Sequence, residues 1–338
     1  MRLNSPKSHS GFTLIEIMIA LLIGLFIMGG IMQIFINTKQ TYRMQDNLSR
    51  LQENARYALE LLNHDIRMTG YLGCAGGDTT KLSVIANSPL LAPVPHTGDL
   101  AVVSASTITG GDESGGTFTT PNPALTSSPL ASVSPNTDAI TIQFGESCGG
   151  YTTAAMNTVN PTALSATQTC GSKTTPGTSI TAGKPLVISD CAHADIFRAA
   201  ADNTQNKDNA GTATTALSKT YAVGSEILLF QSYTYFIKPG SNGDPALWRF
   251  DNNYASSSSN PSEVIEGIQD LDVLYGMDTD GDGTANYYVA STSVPNMAQV
   301  VSVRITLTVQ SIDNTLATTS GRLIRNFTST IALRNRIF

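Results

Sequence analysis

Phe12-Thr-Leu-Ile-Glu-Ile-Met-Ile-Ala-Leu-Leu-Ile-Gly-Leu-Phe-Ile-Met-Gly-Gly-Ile-Met-Gln-Ile-Phe-Ile36 is a run of 25 residues in which Glu16 is the only charged side chain. Coiled as an α-helix it spans about 37 Å, more than the roughly 30 Å hydrocarbon layer of a bilayer. The apolar core of a secretory signal peptide is only about 7–15 residues long and ends at a small-residue cleavage site. Here the run is longer and continues into Asn37-Thr-Lys-Gln-Thr-Tyr-Arg43. Residues 12–36 therefore read as a membrane-spanning segment that stays in the protein.

Beyond it, Met44, Leu48, Leu51, Ala55, Ala58, Leu62 and Ile66 recur at spacings of three and four, the apolar stripe of an amphipathic helix. No Pro interrupts 12–68, so one helix of about 57 residues and about 86 Å is predicted, lipid-embedded over 12–36 and packed by one face over 37–68. Gly70, Gly73, Gly76 and Gly77 are expected to end it. Gly24, Gly29 and Gly30 lie inside the apolar half; they read either as ordinary membrane-helix glycines or as a soft segment. Ala20 and Gly24 form a small-xxx-small face. Glu16 has two readings: a carboxylate shallow enough to stay wet, or a functional group, since a buried carboxylate costs up to a few kcal/mol unless a cation meets it.

The chain has 338 residues, with 20 Lys+Arg against 26 Asp+Glu. Only 14% of residues are charged, against about 25% in ordinary soluble proteins, which favours an extracytoplasmic protein over a cytosolic enzyme. The acid excess argues against a domain-wide grip on nucleic acid, and direct nucleic-acid binding is not expected. Cys74, Cys148, Cys170 and Cys191 are scattered and include no C-x-x-C pair, which suits two disulfides in an oxidising compartment. Three pairings are open. The favoured one ties the end of the helix to the globular region through Cys74–Cys191 and closes an inserted loop through Cys148–Cys170.

Residues 69–224 are rich in Thr, Ser, Ala, Gly and Pro, with short apolar runs at Leu100–Val103, Ala139–Ile142 and Leu186–Ile188. They read as a variable, loop-rich insertion with short strands. In 225–338 the pattern tightens. Ile227–Phe230, Tyr233–Ile237, Ala246–Phe250, Val264–Tyr275, Val300–Val309 and Leu323–Leu333 read as strands, and Val301-Ser-Val-Arg-Ile-Thr-Leu-Thr-Val309 alternates almost strictly. One face is apolar, and the long helix is what covers it. The expected class is α+β: a long N-terminal helix on a mainly antiparallel sheet.

Asp278-Thr-Asp280-Gly-Asp282-Gly-Thr284-Ala-Asn286 sets oxygen donors at alternate positions, with a Gly where the loop turns. That spacing wraps a hard cation, and Ca²⁺ is the expected ion, with the Thr284 carbonyl as a further ligand. The twelfth position is Val289 rather than Glu, so additional ligands come from water, Asp270 or Asp272. The plain alternative is an acidic hairpin turn. No organic cofactor is expected. No G-x-S-x-G elbow, P-loop or H-E-x-x-H is read in the chain, and His9, His64, His96 and His193 are isolated, so an enzyme is not expected. Arg322, Arg325, Arg334 and Arg336 form a basic run at the C-terminal end, read either as phosphate contacts or as solvated edge charges.

Gly11-Phe-Thr-Leu-Ile-Glu16, after a short polar leader with Arg2, Lys7 and His9, resembles the processing signal of type IV pilins and of type II secretion pseudopilins. The resemblance implies removal of leader residues 1–11 by a prepilin peptidase between Gly11 and Phe12, methylation of the Phe12 amine, and Glu16 as the group that docks one subunit on another through that amine. It also implies the pilin fold. The basic residues following the apolar run, Lys39, Arg43, Arg50 and Arg56, outnumber Arg2 and Lys7 before it. The positive-inside count thus opposes the implied orientation, which the short leader and the cysteines favour.

Gly70-Tyr-Leu-Gly-Cys74, Asp190-Cys-Ala-His-Ala-Asp-Ile-Phe197, Val264–Gly276 and Ile331-Ala-Leu-Arg-Asn-Arg336 narrow the resemblance to minor pilins of the PilW type. These imply a single-pass inner-membrane protein with its C-terminal region in the periplasm, later carried to the pilus fibre and its tip. The implied partners are other minor pilins, the major pilin, the prepilin peptidase and the inner-membrane pilus assembly machinery. Two other readings stay open: a type II secretion pseudopilin, and a pilus-borne calcium-stabilised adhesin or DNA-binding module.

Overall fold

The computed structural model describes residues 11, 13–75, 82–84, 107–114, 117–119, 133–153, 155–156, 185–201, 204–205, 217–253, 260–314 and 321–336. Its first element, α1, runs from Leu14 to Met68. It starts at Leu14 because Thr13 is its N-cap, with extended backbone; Phe12, the expected first residue, lies outside the described residues. From Thr13 to Asp46 every side chain is exposed, and this helix is long and apolar enough to cross a membrane. The buried stripe starts later than expected. Met44 is exposed and Leu48 only half-buried, whereas Asn47, Leu51, Ala55, Ala58, Leu62, Asp65 and Ile66 are buried. The sheets reach α1 only from Asn47 onward. The helix ends at Thr69, followed by Gly70 and Gly73 at φ +77° and +74°, a left-handed backbone that costs Gly nothing. Gly76 and Gly77 lie outside the described residues.

Two sheets pack on the same helix face. The larger contains β1 (Leu82–Val84), β2 (Ile108–Ser114), β3 (Thr117–Thr119), β4 (Asp138–Tyr151), β5 (Pro185–Asp190), β6 (His193–Ala201), β7 (Thr204–Gln205), β8 (Glu226–Pro239), β9 (Pro245–Asp251) and β10 (Ser262–Glu266). Its main order is β1-β6-β5-β8-β4-β2-β3, with β9 on β8 and β10 on β9. Among the described strands, β1 and β6 alone pair in parallel. The smaller, fully antiparallel sheet contains β11 (Ile268–Met277), β12 (Tyr287–Val289), β13 (Val300–Gln310) and β14 (Ile324–Ala332), in the order β12-β11-β13-β14.

The expected strands 227–230 and 233–237 are one strand, β8, because Gln231 and Ser232 continue its ladder with β4. Conversely, 264–275 breaks at Gly267. This residue has φ +81°, and a Cβ there would stand 2.9 Å from the Gln310 carbonyl oxygen. Its N–H donates to Pro245 and its carbonyl accepts from Gln310, so at Gly267 the chain passes from the larger sheet to the smaller. The 224/225 boundary falls inside the larger sheet, where β4 pairs with β8. Leu100–Val103 lies outside the described residues.

One core joins the three layers: Leu51, Ala55, Ala58, Leu62 and Ile66 of α1, Ile140, Ile142, Phe144 and Ile237 of the larger sheet, and Leu271, Val273, Val303, Ile305 and Leu307 of the smaller. Ala55 and Ala58 are fully buried; small side chains there let the helix lie close to the strands. Where the sheets meet, Tyr275 of β11 lies against Gly110 of β2, and a Cβ on Gly110 would stand 1.8 Å from its Oη. This is an α+β, type IV pilin-like architecture: a long apolar helix packed with antiparallel sheets.

Candidate functional site

The N-terminal end of α1 is a capping box. Glu16 N–H donates to Thr13 Oγ1 at 3.4 Å, while Glu16 Oε2 accepts from Thr13 N–H at 2.9 Å and from Thr13 Oγ1 at 3.0 Å. This is a third role for Glu16, neither idle nor yet paired with a cation. Its signal was in plain view as Thr13-x-x-Glu16. The bonds turn the carboxylate back toward the helix N-terminus, where a negative charge is favoured by the helix dipole. Gly11 is exposed, with open space where a Cβ would stand. Phe12 lies outside the described residues.

At the other end, polar side chains that sequence periodicity passes over hold α1 to the sheets. Asp65 is only 5% exposed. Its Oδ2 accepts from the Tyr235 hydroxyl on β8, and its Oδ1 lies 2.8 Å from His64 Nδ1. Burial first, then the Asp65 charge, pushes the Tyr235 hydroxyl pKa well up. Asn54 Nδ2 donates to the Glu266 carbonyl at 3.2 Å, and Ser329 Oγ on β14 donates to Asn63 Oδ1 at 2.9 Å.

The C-terminal segment completes the hold. Asn335 Nδ2 donates to the carbonyls of Met68 and Thr69 at 3.3 and 3.2 Å, satisfying acceptors that a helix end leaves open. Leu333 is buried beside it, and Arg336 donates to the Met297 and Val300 carbonyls. Desolvation lowers the Arg336 pKa to about 10. Arg322 reaches Asp244 at 2.7 Å and the Ser311 carbonyl at 2.6 Å. Of the C-terminal basic run, Arg322 and Arg336 are therefore turned inward as structural donors, contrary to both readings made for them.

Cys74, six residues past the helix, is joined to Cys191 by a disulfide with the Cα atoms 4.5 Å apart. Cys148 is also disulfide-bonded, and Cys170 lies outside the described residues. On β6, Asp195 is completely buried and accepts from Ser218 N–H and Oγ at 2.8 and 2.7 Å. Desolvation raises its pKa against these bonds. Asp190 goes the other way. Burial would raise its pKa, but the Lys219 ion pair and the amides of Ala192 and His193 outweigh that. His193 Nε2 and Ser218 Oγ lie 3.6 and 2.7 Å from Asp195 Oδ1, which puts the carboxylate between them, whereas a nucleophilic triad has the imidazole in the middle. Gly145-Glu-Ser147-Cys-Gly149 spells G-x-S-x-G, a pattern missed in the sequence, but it lies within β4. A nucleophile elbow needs a strand-to-helix turn, which β4 does not supply.

The acidic segment 278–286 is the loop of the β11–β12 hairpin. Ligand oxygens of Asp278, Asp280 and Asp282 lie within 4.8 Å of one another. Asp278 accepts from the amides of Gly281 and Gly283 at 2.7 and 2.8 Å, which lowers its pKa. Asp282 accepts from Thr284, and Asn286 bridges Thr279 and Asp280. Asp270 and Asp272 are not brought here. They lie back along β11 opposite Thr308 and Thr306, about 20 Å of strand from Asp278 in the case of Asp272.

Compared with known proteins, residues 234–335 match the family described as Type IV Pilus-assembly protein W. Residues 6–32 match the prokaryotic N-terminal methylation motif. No curated protein matches the chain. No solved structure matches it either.

Proposed function

We propose that this chain, whose two family matches are those of a type IV minor pilin of the PilW kind, is a structural subunit that helps prime pilus assembly within a minor-pilin complex. The observation that carries this reading is the division of α1: nothing is buried before Asn47, and a full apolar stripe is buried after it. A helix of that kind anchors a folded head in a membrane and can later exchange lipid for neighbouring helices. In this reading prepilin peptidase cuts between Gly11 and Phe12, and the Phe12 amine is methylated. The capping box holds the Glu16 carboxylate where the amine of Phe12, on this or an incoming subunit, meets it. Away from water their attraction is stronger, although desolvation offsets much of it. The head folds in the periplasm and travels to the fibre tip, where it supports twitching, adhesion or DNA uptake.

A deletion strain complemented with wild type or Glu16→Ala tests this, scored for surface pili, exoprotein secretion and the mass of the mature N-terminus. Loss of pili with secretion intact, rescued by wild type alone, and a methylated Phe12 are expected. Intact pili with secretion lost would instead favour a secretion pseudopilin; intact pili with adhesion lost would favour a pilus-borne adhesin.

Within the same reading, Asp278, Asp280, Asp282 and Asn286, with the Thr284 carbonyl, hold Ca²⁺ and fix the β11–β12 hairpin. The closeness of three hard carboxylate oxygens supports this. Calcium at about 100 times its Kd is expected to stabilise the protein by about 2.7 kcal/mol over the chelated state, read from urea denaturation. Identical curves with calcium and with chelator would remove the ion from the account.

A further inference from the structure

β14 pairs with β13 on one side and with no strand on the other among the described residues. Such an edge offers a row of backbone donors and acceptors to which another chain can add a strand. The usual protections are thin here. β14 holds no Pro, has no bulge against β13, and carries a single charge, Arg325. Beside it, between β14 and the flank of α1, lies a groove of about 570 Å³ with Leu59, Met68 and Phe327 in its wall. The same wall carries Arg56 and Arg67 against one acid, Glu60. Arg325 lies on the same pleat face as Phe327. This locally cationic groove sits on a chain of net charge −6.

We propose that β14 and this groove receive an extended strand of another subunit, apolar where it meets Phe327 and acidic where it meets Arg56 and Arg67. A second copy paired β14 to β14 would set Arg325 and the groove arginines against their own kind, which opposes that pairing. Nucleic acid would meet the arginines but has no amide ladder to complete β14, and a helix in the groove would leave the ladder open. The class of partner rests on the assembly reading above.

The test places a photo-crosslinking phenylalanine analogue at Asn326 of the full-length chain in piliating cells and locates the cross-linked residue by mass spectrometry. The expected product joins position 326 to an extended, acidic segment of a different pilin-class subunit. Arg56→Glu with Arg67→Glu is expected to reduce it at least tenfold, and Lys at the partner's acidic positions to restore it. Arg67→Gln alone, a milder change, is expected to reduce it partly. Cross-links to a second copy, to a helix or to nucleic acid would overturn the proposal, as would no product. If the deletion strain keeps its pili, the assembly reading fails; if pili depend on the chain but position 326 gives no such product, only the strand-edge proposal fails.

Discussion

Tyr235 and Asp65 show what a single hydrogen bond does when both partners are out of water. Tyr235→Phe leaves Asp65 Oδ2 without its donor, and a buried acceptor left open costs about 1–3 kcal/mol. A lower urea midpoint with an unchanged slope is the expected result. Asp195 is the group to follow with pH. Its folded pKa lies above the ordinary carboxylate value because burial disfavours the charged form. The folded state therefore holds its proton to higher pH than the unfolded state does, and the contribution is complete below the unfolded value near 4. It is lost as pH rises through the folded value. The stability difference between wild type and Asp195→Asn is thus expected to fall as pH rises through that window, in paired denaturation series; a flat difference would contradict the raised pKa. None of these residues was legible beforehand. Tyr235, Asp65 and Asn335 are paired across separations of 170 and 267 residues, and no local pattern encodes such distances. The Thr13–Glu16 box, by contrast, is local and could have been read.

The elements were largely readable because their periods are those of burial. α1 and β13 each face one apolar layer, so spacings of three and four in one and alternation in the other survive in the sequence. Boundaries failed where a side chain or a contact far along the chain decided them. Asn47 replaces Met44 at the start of the stripe because that is where the sheets begin, and Gly267 breaks a strand because Gln310 passes too close for a Cβ. Leu62, fully buried between α1 and both sheets, is the element-scale test. Leu62→Ala is expected to cost about 2–5 kcal/mol, read by chemical denaturation, and to leave the membrane half of the helix unaffected.

Across the whole molecule, the Cys74–Cys191 bond spans 117 residues of sequence and fastens the chain just past α1 to the larger sheet. Cross-links over loops of that length restrict the unfolded chain most, and losing one typically costs about 2–5 kcal/mol. Cys74→Ser with Cys191→Ser is expected to show that loss in oxidising buffer, whereas wild type in strong reductant should fall to the level of the double variant or below it.

Asn63 meets Ser329 and Met68 meets Asn335, so α1 and the C-terminal end of the chain run in the same sense, side by side. Tension applied along the axis of α1 from its membrane end would therefore act in shear. The ties at Asn54, Asn63, Asp65 and Met68, spread over about 21 Å of helix, would bear the load together, rather than peeling one after another.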